Sequence, residues 1–318
     1  MKTASIIILI LLVLVCSKSY SQKDPLYSQY IFNGLVINPA YAGSKEIFNI
    51  NAFYRQQWQG FSSAPQTQSL SIDGNINKNV NLGFYVLNDS WGAQRNTSVY
   101  GVYAYKIKFD NKSKLSFGLA GGISQLSLDG TKLSPDDNFD PVLPLTMEKK
   151  TLFNANSGIY YNTEIFYAGF SVFNLLSDIY SIDKIIKQPK NYFLSTGYLI
   201  DLSPNIKLKP SLLIKETFTK EPGNIDLNAF VLFQEKIWLG ISLRGNVNWL
   251  HQSLHNGFLL NADAIAIIME YYINNNFKIG YAYDISTTVL KKYGSHELAL
   301  GYYIFKVKEA PMLTPRYF

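Results

Sequence analysis

One cysteine in 318 residues, three histidines and only 16% charged side chains remove several kinds of chemistry at the outset. A disulfide framework, a cysteine-rich zinc site or a thiol relay needs more sulfur than Cys16 supplies. About 25% of positions are charged in an ordinary soluble domain. A chain at 16% with 47% hydrophobic content is short of the charge that covers a globule wetted all round. Beyond the first 21 residues no run reaches the roughly 18 apolar residues of a membrane-spanning helix, and the nearest, 262–273, is broken by Asp263 and Glu270. What is abundant is aromatic: 23 tyrosines and 20 phenylalanines beside 21 glycines, the mix of a β-rich chain whose surface need not meet water everywhere.

Residues 1–21 read as a secretory signal peptide, because Lys2 precedes an apolar run from Ile6 to Val15 and Ser19 and Ser21 flank Tyr20 before a cut at Gln22. Losing Lys2 and Lys18 with it takes the formal net charge from +6 to +4. So small an excess, spread without long basic runs, gives no support to nucleic-acid binding. Cys16 has two readings, a lipid-anchored terminus or one more residue of the apolar run. Bulky Val15 in front of it disfavours the first, since a lipobox wants a small residue there.

The mature chain repeats a two-residue alternation. Ile206, Leu208, Pro210, Leu212 and Ile214 share one face while Lys207, Lys209, Ser211 and Lys215 fall mostly on the other, because successive strand side chains point to opposite sides. Phe277, Ile279, Tyr281, Tyr283 and Ile285 oppose Lys278, Gly280, Ala282 and Asp284 in the same way. Candidate strands fall at about 46–58, 66–76, 80–90, 97–109, 113–127, 153–162, 164–174, 191–202, 205–216, 225–235, 236–247, 260–272, 276–286 and 295–307. The twelfth alternates poorly and has a short helix as its alternative. Lengths suit the roughly 9–11 residues of a tilted transmembrane strand, and an even number suits a bacterial barrel with both ends on one side.

Short connections such as Asn77–Asn79, Asp110–Lys112, Ser203–Asn205 and Asn274–Asn276 alternate with longer ones, and the longest, about 128–152 and 175–190, are expected outside the cell. The fold expected is all-β: a single transmembrane antiparallel β-barrel of about 14 strands over 46–308, behind an extended segment 22–45 and before a tail 309–318. Alternation alone leaves a secreted soluble sandwich or propeller open. Charge placement favours the barrel, because Arg55, Lys106, Lys207, Arg244, Lys278 and Asp284 fit a wall facing a hollow where water or opposite charges solvate them.

Little reads as catalytic. His251 and His255 are spaced to chelate only on a helix, and their surroundings read as a loop; His296 opens the last strand and could line the pore. Asp129, Asp136, Asp137 and Asp140 make an acidic loop without EF-hand spacing. Gly240 to Arg244 lacks the second glycine of a nucleophile elbow. No enzyme activity, cofactor or metal is expected.

The mature chain opens Gln22-Lys23-Asp24-Pro25-Leu26-Tyr27-Ser28-Gln29-Tyr30-Ile31-Phe32-Asn33 and continues with Ile37-Asn38-Pro39-Ala40-Tyr41-Ala42-Gly43-Ser44, Arg55-Gln56-Gln57-Trp58-Gln59-Gly60 and Ala64-Pro65-Gln66-Thr67. Late in the chain come Gly280-Tyr281-Ala282-Tyr283-Asp284, His296-Glu297 and Pro315-Arg316-Tyr317-Phe318. This set resembles the PorP/SprF family of type IX secretion system outer-membrane proteins of Bacteroidetes, with Gly34 and Ser63 as departures at positions where the family commonly has proline and glycine. The resemblance implies an outer-membrane barrel in contact with lipid. It implies support for export and surface attachment of particular cargo proteins, in some members gliding adhesins. It also implies partners among the secretion components on the periplasmic side, and no enzymatic activity.

From the residues themselves, Tyr27, Tyr30, Phe32 and Tyr41 are expected to dock the leading segment at the periplasmic mouth or inside it; a plain turn at Asn38–Gly43 closing the barrel is the alternative. Arg55 and Trp58 read as a lumen charge and an interfacial aromatic, or as contacts for cargo or a partner. Asp284 and Glu297 are expected to pair with Arg244 or Lys278 in a lumen network. A general diffusion or small-molecule uptake channel is the competing function.

Overall fold

The computed structural model describes residues 28–133, 144–180, 188–219, 223–247 and 262–305. Its strands are β1 (Phe48–Gln56), β2 (Gln66–Asn75), β3 (Val80–Trp91), β4 (Gln94–Lys108), β5 (Lys114–Asp129), β6 (Met147–Asn162), β7 (Phe166–Phe173), β8 (Asn191–Tyr198), β9 (Ile200–Ser203), β10 (Ile206–Glu216), β11 (Gly223–Phe233), β12 (Ile237–Val247), β13 (Ala262–Tyr272), β14 (Phe277–Ser286) and β15 (Ser295–Ile304). Each pairs antiparallel with its neighbours, and β1 pairs with β15 from Phe48↔Ile304 to Gln56↔His296, so the sheet closes without a free edge. Because β8 and β9 are one interrupted strand flanking β10, the wall is fourteen strands round. Pro210, which has no N–H to give, sits where that interruption falls.

The expected strands recur with shifted ends. The first long loop is shorter than the sequence suggests: β5 runs on to Asp129 and β6 begins at Met147, their outer parts continuing the ladder above the rest of the wall. The twelfth candidate is a strand, β13, with Ile265, Ile267, Met269 and Tyr271 outward. Its alternation is blurred because Ala266, Ile268 and Tyr272 on the inner face are also apolar and pack inside.

Outward residues form an apolar belt. Leu119 is 63% and Phe153 62% exposed, values that are costly in water over so wide a surface and ordinary against hydrocarbon. On β4 and β5 the belt runs from Ile107 to Val99 and from Leu115 to Ile123, then gives way to Thr97, Arg95, Gln125 and Ser127. That span is about nine residues, on the order of 20–25 Å along the normal for tilted strands. Among the described residues no helix is long and apolar enough to cross a membrane; the crossing is made by strands.

The inner faces differ from the sequence expectation in one respect. They are polar, as expected, but they are not wetted: Lys106, Lys209, Glu270 and Glu297 are at most 1% exposed. The cause is the leading segment. From Ser28 it coils through three short 3-10 turns, Gln29–Phe32, Gly34–Val36 and Pro39–Tyr41, inside the hollow and then enters β1. Asn38 caps the third turn by accepting from Ala40 N–H (2.9 Å), with Pro39 at the first position where its missing N–H costs nothing.

Candidate functional site

The plug is seated by glycines that the alternation places on the inner face. A Cβ on Gly118 of β5 would lie 2.2 Å from Ala40 N, and one on its cross-strand partner Gly158 of β6 2.1 Å from Asn38 Oδ1. On the opposite wall Gly280 makes room for the Gln29 amide. Asn38 also donates to Ile159 O (3.0 Å), and Ser171 donates to Ile37 O (2.5 Å). Leu35 and Ala40 are fully buried. The third turn is therefore held against β5, β6 and β7 by close backbone approach and hydrogen bonds together.

The start of the plug is fixed by charge. Arg55 of β1, Arg244 of β12, Asp226 of β11, Asp284 of β14 and Glu297 of β15 all point inward in the half of the wall nearer the long loops. Arg55 contacts Asp284 (2.7 Å) and Glu297; Arg244 grips Asp226 through two bonds of 3.0 and 3.2 Å and lies 3.8 Å from Asp284. Ser28 bridges the group: its N–H donates to Glu297 (2.9 Å), its hydroxyl donates to Asp284 (2.8 Å), and Arg244 donates to that hydroxyl (3.3 Å). Gln29 N–H adds a further bond to Glu297 (3.1 Å). Such charges persist in a dry interior only when paired and hydrogen-bonded.

Nearer the short turns, Phe32 fills a box of aromatics and cations. Its ring meets Phe230 edge-on at 5.4 Å and Trp238 at 6.5 Å, with Lys209 and Lys278 Nζ 5.5 and 5.6 Å from its centroid. Its carbonyl accepts from Lys45 (3.5 Å) and Lys278 (3.4 Å). Lys278 pairs with Glu270 at 2.8 Å, not with Asp284 or Glu297: their strand positions put it at the far end of the lumen from that pair.

At the mouth the plug ends on Glu46, which takes Lys108 (2.7 Å), Lys114 (3.2 Å) and Lys106 (3.3 Å) at once. Lys106 also donates to Gly43 O (3.2 Å). Glu46 holds a left-handed backbone, φ 59°, uncommon for a residue with a Cβ. Partial burial pushes its carboxyl up, but the bond from Lys108 and the charges of Lys106 and Lys114 outweigh that and hold it at about 2.

Of the residues singled out from sequence, Arg55, Arg244, Asp284 and Glu297 are brought together. Tyr30 accepts from Asn228 (2.8 Å) at mid-lumen, and Tyr41 packs edge-on to Tyr160 at 5.4 Å. Tyr27 lies outside the described residues, as do His251, His255, Asp136, Asp137, Asp140 and the tail 309–318. Trp58 stands apart, in the turn above β1, its backbone N–H donating to the Ser295 hydroxyl (3.1 Å) and its ring near Phe61. His296 does not line the pore: Glu297 faces in, so its neighbour faces out, where it takes a bond from or gives one to Tyr281 (2.7 Å). Asp129 serves its own turn, accepting from Thr131. Ser28, Asp226, Glu46 and the inner glycines escaped sequence reading. The only signal for the glycines was Gly118, Gly240 and Gly280 recurring on polar faces.

Among the described residues no group of three His, Cys, Asp or Glu side chains could hold a metal ion. No curated protein matches the chain. Among solved structures it is similar to the Acinetobacter baumannii outer membrane protein Omp33, at 7% identity over 81% of this chain and 98% of that one with a TM-score of 0.47. It is also similar to a Pseudomonas aeruginosa FadL homologue, at 8% identity over 83% and 92% with a TM-score of 0.46. The family described as type IX secretion system membrane protein PorP/SprF matches residues 19–302. With a closed outer-membrane barrel to which that match extends almost end to end, the chain belongs to the PorP/SprF family of type IX secretion system membrane proteins.

Proposed function

We propose that this outer-membrane component of type IX secretion acts without enzymatic chemistry, supporting export and surface attachment of particular cargo, gliding adhesins among them, through protein contacts at the two mouths of its barrel. The observation that carries the reading is the plug. A wall of fourteen strands lies between small barrels filled by their own side chains and the water-filled porins of 16–18, and here residues 28–47 occupy the hollow, with the lumen charges spent on holding them. A barrel so filled offers surfaces rather than a wide aqueous passage. The mouth with the short turns is read as periplasmic, where other secretion components meet it. Deleting the gene and staining intact cells for a neighbouring large surface protein tests the role: display is lost while solute uptake is unchanged. Retained display with lost uptake would make it a diffusion channel instead.

A further inference from the structure

We propose that Lys106, Lys108 and Lys114 at the short-turn mouth form a docking site for an acidic segment of another protein, with Glu46 as the internal occupant that such a segment displaces. The inference rests on the reading that this barrel works through protein contacts, and it names the chemistry of one partner. Three ammonium groups lie within 3.3 Å of one carboxylate, so the cluster holds two more positive charges than negative ones. Lys108 is 46% and Glu46 38% exposed at the side chain, whereas Lys106 is fully buried. An incoming carboxylate thus reaches the cluster through Lys108 without a fresh cation having to be stripped of water.

The three lysines share the inward parity of Ala104 and Ser116. They open to the mouth rather than to lipid headgroups, which excludes the membrane surface as the source of the anion. Two of the neighbouring acids are already committed: Asp73 is buried and takes Gly43 N–H (2.8 Å), and Glu164 pairs with Lys112; Asp110 is exposed in the turn between β4 and β5. Glu46 is held in the left-handed region, so its release relaxes the backbone of the turn that joins the plug to β1. Docking would thereby loosen the plug at its base.

The test uses the full chain purified in detergent and a fluorescent hexaglutamate peptide, followed by anisotropy. Expected are saturable binding that weakens with salt, at least a tenfold loss in K108Q/K114Q, and a several-fold gain in E46Q, which removes the internal competitor. K112Q, outside the cluster, leaves binding unchanged, and a heat-modifiable gel shift verifies folding of every variant. Binding indifferent to K108Q/K114Q, or unimproved in E46Q, overturns the proposal. Displacement of the peptide by inorganic phosphate at equal concentration also overturns it, marking a small-anion site. Because the measurement uses isolated protein, its failure is separate from loss of surface display, which tests the export role.

Discussion

At the scale of single residues, the charged group around Ser28 is the most exposed to mutation. Replacing Arg55 by Gln leaves Asp284 and Glu297 facing each other in a dry interior with one guanidinium fewer. Breaking a buried pair in this way costs about 3–5 kcal/mol, so R55Q should lower the urea midpoint of the detergent-solubilised barrel markedly. An unchanged midpoint would mean the group is solvated after all. Glu46 gives a pH dependence of defined sign. Its carboxyl is held at about 2, below the usual 4.5, so its stabilisation is complete above the unfolded value and lost as pH falls from about 4.5 toward 2. The difference in thermal midpoint between wild type and E46Q should therefore be largest at neutral pH and vanish near pH 2. Arg55, Arg244, Asp284 and Glu297 were legible in the sequence because a charge at an inward position of an apolar strand is anomalous. Ser28 was not, since a serine is unremarkable until its partners from distant strands are known, and Asp226 was masked by Asn224 and Asn228 on an already polar face.

At the scale of elements, the strands could be read almost throughout because two-residue alternation is imposed by a lipid face that tolerates no polar residue. The alternation failed where that pressure stops. Above the belt β5 and β6 present Gln125, Ser127 and Thr151 outward and bury Leu126, Leu128 and Leu152 inward, so the pattern inverts and the strand ends looked like loop. Of the plug turns only the one within Asn38–Gly43 was offered from sequence, as a turn closing the barrel; the other two were illegible, because their conformation is set by the hollow rather than by local propensity. Gly118 gives that dependence a handle. In G118V the new side chain must occupy the place of the Ala40 backbone while β5 keeps its ladder bonds, so the barrel should still show a heat-modifiable gel shift. The plug should be expelled, seen as new trypsin cleavage at Lys45 in proteoliposomes. Protection equal to wild type would show that the third turn can move aside.

At the scale of the whole molecule, the balance between wall and plug decides permeability. Removing residues 28–41 takes away the groups that bury Lys209, Glu270 and Glu297, and water must then hydrate them. The deletion should raise conductance in planar bilayers by an order of magnitude or more over a nearly silent wild type. Equal conductance would count against a sealed lumen. The belt of outward Leu, Ile, Phe and Tyr further requires that the folded chain stay in solution only with detergent or lipid.

The way the plug is tied carries a consequence for biogenesis. Ser28 is bonded to Asp284 and Glu297 across sequence separations of 256 and 269 residues, so the stretch that leaves the translocon early finds its partners only when the last two strands arrive. Contacts so remote are slow to form. Until then its aromatics are unsheltered, and periplasmic holding factors have a reason to grip this stretch before any other.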